Sequence, residues 1–327
     1  MIKRALQPWP DSRAERTLGA ASLLVGVCVV GMLVFVAVQA WPMFQHQGLS
    51  WLGSGGNVDS QLGNLEHAGA HPSASGYYLR AWPLIYGTLL TTGIALALAL
   101  PTALLSSIFI VEFAPAFLRR VMIPVIRLLA SVPSVIYGLI GILVLVPFVG
   151  NDLITASEKT SVQNVVELTG AGLGVAALVL AVMITPIMVA LITDALNTVP
   201  RAWREGAVAL GLNPLRATLA VSVRAIRPAI VAAAVLATAR ALGEAVMLYM
   251  VAGSVGFAPK PVDGVTFFFE PLKTLASSIV ESAEGLGAPA LHAAAYAFAL
   301  LLLFSAFTLS LAGYLVKLPL RKYEVRA

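Results

Sequence analysis

The sequence predicts an all-α integral membrane protein with about six transmembrane helices, on three observations. Of its 327 residues 59% are hydrophobic and only 11% are charged, and the mean hydropathy is +0.88. A soluble domain carries about 25% charged residues, and too few are present here to cover a water-facing surface. The apolar residues fall in stretches long enough to cross a bilayer, which takes about 20 mainly apolar residues. The basic residues collect in the segments on one side of those stretches.

The first stretch, 18–40, follows Lys3, Arg4, Arg13 and Arg16 in a tail over 1–17. Val38-Gln39-Ala40 would suit signal peptidase, but the apolar region of a signal peptide is only about 7–15 residues long. The stretch therefore reads as a retained helix. An outer (periplasmic) loop over 41–82 follows. The remaining stretches are 83–111, 121–149, 172–193, 227–253 and 289–317, and they form a second region over 83–318 that ends in a short tail, 319–327. The second, third and sixth stretches exceed a bilayer, so their ends project into water or tilt. Pro101, Pro133 and Pro186 read as kinks, and Pro133, between Ser131 and Ser134, can open a turn that lines a pathway. Gly138 and Gly141 suit close helix packing. The single Cys28 excludes a disulfide framework and a thiol metal site, and reads as a small buried hydrophobe.

Fifteen of the 21 Lys and Arg residues lie in 1–17, 112–120, 194–227 and 317–327, against Arg80, Lys159, Lys260 and Lys273 on the other side. An even number of spans with two basic tails predicts that both termini are cytoplasmic. Arg127 and Arg240 fall inside expected spans. The net charge of +5 is spread over several loops, which fits membrane orientation better than nucleic acid. No phosphate-binding loop, metal motif or nucleophile with an evident base is present, so the chain is not expected to be an enzyme.

The segment 194–227 carries the most information. Pro200 can open a helix and Gly211 suits the left-handed residue that closes one. Asn213 then suits an N-cap with Pro214 at the first position of the next helix. The segment is predicted to be a short helix, a glycine turn and a second helix, with Trp203, Ala207 and Leu210 on one side as a small apolar knob. Such a knob can dock in a groove of a partner, or the hairpin can simply pack on its neighbours.

Glu205-Gly-Ala-x-x-x-Gly211 resembles the coupling loop of ABC importer permeases. Its surroundings, Val199-Pro-Arg-x-x-Arg-Glu-Gly-Ala-x-Ala-Leu-Gly211, are similar to the phosphate-specific (Pst type) permeases. Gly87-Thr-Leu-Leu, Glu112-Phe-Ala-Pro, Leu128-Leu-Ala-Ser-Val-Pro-Ser-Val-Ile-Tyr-Gly138 and Ala239-Arg-Ala-Leu-Gly-Glu244 extend the likeness, in family order, over roughly 82–253. The long outer loop ending in Trp82-Pro-Leu-Ile-Tyr-Gly-Thr-Leu looks more like the C-type subunit than the A-type.

The resemblance implies a type I ABC importer permease fold over 83–318, with a coupling loop at 199–218. It implies a permease subunit of an ATP-driven phosphate importer in the bacterial cytoplasmic (inner) membrane, forming half of a pore with an A-type sister permease. The other implied partners are a homodimeric cytosolic ATPase and an extracytoplasmic phosphate-binding protein. ATP and Mg would belong to the ATPase, with no cofactor on this chain. Arg204, Glu205, Gly206, Ala207 and Gly211 would couple to the ATPase. Gly206 stands where the family usually has Ala, Arg224 where its loop usually ends in Pro, and Arg127 where an acidic residue is common.

If the fifth helix starts near Pro228, Arg240 lies about 18 Å along it at 1.5 Å per residue, with Glu244 one turn on and on the same face. A lone charge at mid-membrane costs about 2.5–3.5 kcal/mol on insertion scales, so the two should face each other or a wet pathway. The residues alone allow an intrahelical ion pair or an anion-handling site. The resemblance favours a phosphate pathway of Arg240, Glu244, Ser131 and Ser134. Alternatives are a permease for sulfate, molybdate or phosphonate, a proton-coupled secondary transporter using Glu244, or a scaffold relaying phosphate status to a sensor.

Overall fold

A computed structural model describes residues 12–162 and 166–320. The expected tails, 1–17 and 319–327, lie largely outside the described residues. Among those described, no β-strand forms, and an isolated bridge joins Gly253 to Leu272. Five helices are long and apolar enough to cross a membrane, or six if one bent pair is a single span.

Helix α1 (Ser12–Gln47) overruns the expected 18–40 at both ends. Residues 15–35 are exposed, because the helix is buried against the rest of the chain mainly near its C-terminal end, as at Ala40 and Met43. Cys28 is accordingly exposed on an apolar helix surface, not buried in protein. The segment expected as an outer loop contains α2 (Val58–Glu66), capped by the Asn57 side chain, which accepts from the backbone N–H groups of Asp59 and Ser60. Helix α3 (Trp82–Ile108) carries Pro101 without breaking and runs into a π turn, Phe109–Phe113.

The stretch expected as one helix over 121–149 is two. Helix α4 (Ala116–Ser131) ends at Val132, and α5 (Ser134–Leu153) begins after Pro133. Proline lacks an N–H and pushes the preceding residue to extended backbone, and Val132 sits at φ −64, ψ 131. No residue of α4 is buried, and at 16 residues it is shorter than a span; the crossing falls to α5. Helix α6 (Ala156–Val162) is short, and α7 (Leu173–Asn197) carries Pro186 internally.

Past α7 come α8 (Arg201–Ala209), α9 (Pro214–Val223) and α10 (Arg227–Leu242), with a bend of 73° between the last two. Pro228 stands in the first turn of α10, just after the bend, where proline is tolerated. The expected fifth span, 227–253, breaks at Gly243–Ala245 and resumes as α11 (Val246–Val251). Helices α12 (Leu275–Glu281) and α13 (Pro289–Leu320) complete the described chain.

Two apolar cores result. The larger joins α3, α7, α10 and α11 around Leu180, Ile184, Met188 and Met247. The smaller packs α1, α2 and α13 around Met43, Trp51 and Phe298. Gly138 and Gly141 let α5 approach α11, since a Cβ on Gly138 would stand 3.1 Å from Met247 Cα, and one on Gly141 2.6 Å from Val251 Cγ1.

Candidate functional site

Helix α8 starts at Pro200, whose fixed φ suits a helix start and which has no N–H to satisfy. Arg204 reaches from it to Glu112, in the π turn that ends α3, in an ion pair shielded on both sides. The helix closes through Gly211 at φ +91, a conformation glycine adopts without steric cost. Asn213 then caps α9, its side chain accepting from Arg216 N–H at 2.8 Å.

Trp203 and Leu210 stay outside, 47% and 86% exposed, whereas Ala207 is buried. The apolar knob is therefore made by Trp203 and Leu210, and Ala207 packs inward because its methyl is short enough to be covered. Glu205 and Gly206 are exposed. A cavity of about 490 Å³ opens beside them, with Glu112, Arg204, Glu205 and Thr218 in its walls. A solvated helix fixed at one charged point to the end of α3 can transmit a push into that helix.

The second group of candidate residues sits at the two helix breaks. Arg240 occupies the last turn of α10, where a cation faces the negative end of the helix dipole. Glu244 lies in the break, only 8% exposed, and its Oε1 accepts the Met247 N–H at 3.2 Å near the start of α11. Because α10 ends at Leu242, the two are not stacked one turn apart on a continuous helix. No ion pair joins them among the described residues. Each charge is instead placed against a helix end of complementary sign.

The Ser131–Ser134 break lies on the neighbouring pair of helices. Ser131 Oγ donates to Leu128 O at 2.7 Å, and Tyr137 donates to Leu129 O at 3.0 Å, tying α5 back onto α4. Tyr137 lies within electrostatic reach of Arg240, and α5 packs on α11 through Gly138 and Gly141. The two breaks thus belong to one contiguous region. Ser131 is exposed and Ser134 half-buried.

Sequence reasoning missed the carboxylate that Arg204 holds. Glu112 was legible as part of a motif ending a span, but its partner 92 residues away was not. Arg127, expected within a span, lies on α4 and pairs with Asp194 near the end of α7 at 3.4 Å, both well exposed. A third feature, unmarked by any local pattern, lies at the opposite end of the molecule. The Lys273 side chain is 2% exposed and reaches Asp59 of α2 at 2.6 Å and Glu281 of α12 at 2.9 Å.

The sequence signature described as "Binding-protein-dependent transport system inner membrane component" matches residues 100–317. The chain is 32% identical over 250 residues to a probable ABC transporter permease, YqgH of Bacillus subtilis, covering 76% of this chain and 74% of that one. It is 29% identical over 284 residues to the phosphate transport system permease protein PstC of Haemophilus influenzae, covering 84% and 82%. To PstC 1 of Mycobacterium tuberculosis it is 36% identical over 223 residues, covering 66% and 64%. Among solved structures, an inward-facing MetNI methionine ABC transporter superposes with a TM-score of 0.50 at 19% identity, over 73% of this chain and 94% of that one. That likeness concerns the fold, which is of the type I ABC importer permease kind.

Proposed function

Because the chain belongs to the family of binding-protein-dependent transport system inner membrane components, we propose that it is the C-type permease subunit of an ATP-driven inorganic phosphate importer. The observation that carries this reading is the α8–Gly211–α9 element, solvated on one side and tied to the end of α3 by Arg204 and Glu112. Relatives named as phosphate transport permeases supply the choice of substrate. The basic side is the cytoplasm of a bacterial cell, with both termini there. This chain forms half of a pore with an A-type sister subunit.

In this reading a homodimeric ATPase, which holds the ATP and Mg, seats Trp203 and Leu210 and moves α8. The Arg204–Glu112 pair carries that motion into α3, and α3 carries it into the core that includes α7 and α10. Rearrangement there opens the pathway alternately to an outer phosphate-binding protein and to the cytoplasm. Arg240 presents a permanently charged donor fork to a phosphate dianion. Glu244 keeps the region from holding the anion tightly, since transit needs weak binding.

The test is ATP-dependent phosphate uptake by the reconstituted complex, with the outer binding protein in excess. Arg240→Gln should abolish uptake while assembly and ATP binding persist, and Arg240→Lys should restore only part of it. Near-normal uptake by an assembled Arg240→Gln complex would leave Arg240 with a packing role. Uptake driven by a proton gradient without ATP would remove the importer reading altogether.

A further inference from the structure

The ends of α3 and α7, the start of α4 and the start of α8 enclose a second cavity of about 310 Å³ on the basic side. Its polar walls are Glu112, Arg119, Asn197, Arg201 and Arg204, so three guanidinium groups face one carboxylate. That carboxylate is already engaged by Arg204. Arg119 gives Nε to Ile110 O at 2.8 Å and Nη2 to Val111 O. Those bonds satisfy carbonyls just past the end of α3, and Arg119 is in no ion pair among the described residues. Arg201 is exposed and in no ion pair among the described residues.

Two further observations point the same way. Arg204 Nε is buried and has no hydrogen-bond partner, and a buried donor left unmatched is costly. Pro200, at the N-cap of α8, offers no side-chain oxygen to the first turn. The positive end of that nine-residue helix therefore adds to the field at Arg201. An acceptor with two negative charges and several oxygens would match these donors. Guanidinium forks match phosphoryl oxygens in geometry as well as charge. The cavity has room for such a group with water around it, at about 30 Å³ per water.

We propose that this cavity binds a phosphoryl dianion, which fastens the start of α8 to the ends of α3 and α7. Free phosphate and the phosphomonoester headgroup of phosphatidic acid offer the same chemistry. Taking free phosphate on this side as the permease's own product rests on the function proposed above. In either case occupancy stiffens the joint through which α8 moves α3.

The experiment uses the whole complex in nanodiscs, without the outer binding protein. The lipid is phosphatidylcholine alone or a mixture with phosphatidic acid. Radiolabelled inorganic phosphate is titrated, and hydrogen exchange is followed over 199–212. In neutral nanodiscs phosphate should bind saturably and slow that exchange, and Arg201→Gln should weaken binding roughly tenfold. Asn197→Asp, which brings a carboxylate to the wall, should act in the same direction in a complex whose melting is unchanged. Phosphatidic acid that slows the same amides and blocks phosphate, in an Arg201-dependent way, would assign the site to the headgroup. Exchange over 199–212 that ignores both ligands, or equal phosphate binding with and without Arg201, overturns the site. Loss of import with Arg201-dependent binding retained would remove the transport reading and leave the site. Intact import without such binding would do the reverse.

Discussion

Charge ties the molecule together at both ends, with opposite balances. At the end away from the basic segments, the outer end in the proposed orientation, Lys273 is almost wholly buried and meets two carboxylates on different helices, Asp59 and Glu281. Asp59 also accepts the Gly256 N–H at 2.8 Å. A Cβ on Gly87 would stand 2.5 Å from Lys273 O, so α3 presses directly on this knot. At the basic end three arginines line a cavity with one carboxylate, Glu112, which pairs with Arg204, and the helix held by that pair leaves Trp203, Glu205 and Leu210 exposed. The outer joint has its cation fully matched and enclosed, as suits a fixed wall. The inner joint has more cations than carboxylates and a single ion pair, as suits a part that moves.

The largest expected effect comes from removing both outer carboxylates. Asp59→Asn with Glu281→Gln leaves a buried ammonium without a counter-charge and should cost about 3–5 kcal/mol, the range for an orphaned buried charge. Lys273→Met should cost less, because the Asp59 and Glu281 side chains are 36% and 38% exposed and can hydrate. Thermal unfolding in detergent compares them. Equal losses would mean that the outer joint is not governed by the buried cation.

A smaller effect belongs to the inner joint. Gly211 holds φ +91 with nothing within 4 Å of where a Cβ would sit, so Gly211→Val meets backbone strain alone, about 2 kcal/mol. A β-branched residue resists positive φ most, and Gly211→Asn should recover much of the loss. The readout is stimulation of the ATPase by an inserted complex. Normal stimulation by Gly211→Val would show that the turn need not be kept for coupling.

The smallest effect concerns pH at the outer end. Burial pushes the Glu270 carboxyl above its usual range, helped by the nearby charge of Asp263 and opposed by the bond it accepts from Lys260 N–H at 3.0 Å. A carboxyl raised in the folded state adds stability that is complete below its unfolded value, about 4.3, and is lost as pH rises through the folded one. Glu270→Gln, which keeps an acceptor for Lys260, should therefore gain stability relative to the parent between acid and neutral pH. A difference that stays flat over that range would mean the carboxyl is not held up by burial.

Much of the α8–Gly211–α9 element was legible locally. Pro200, Gly211, Asn213 and Pro214 act through their own backbone constraints, so their spacing alone predicts two helices and a turn. The fifth stretch was misread for the converse reason. Hydropathy runs unbroken from 227 to 253, while the interruption at Gly243–Ala245 depends on Glu244 bonding to the start of α11 and on the packing around it. The break at Val132–Pro133 carried a local signal, since proline restricts its predecessor, but the apolar run around it read as one span.

The sequence by itself determined that this chain lives in a membrane, roughly where it crosses, which ends are basic, and where the helix–glycine–helix element lies. These follow from transfer energies and backbone preferences, which are properties of neighbouring residues. Only the tertiary structure decided that Arg204 belongs to Glu112, that Lys273 is enclosed by Asp59 and Glu281, and that Arg240 and Glu244 lie on either side of a helix end. Those pairings join residues as far as 214 positions apart. Charge attraction acts through space, and no pattern along the chain records which distant group will be there to meet it.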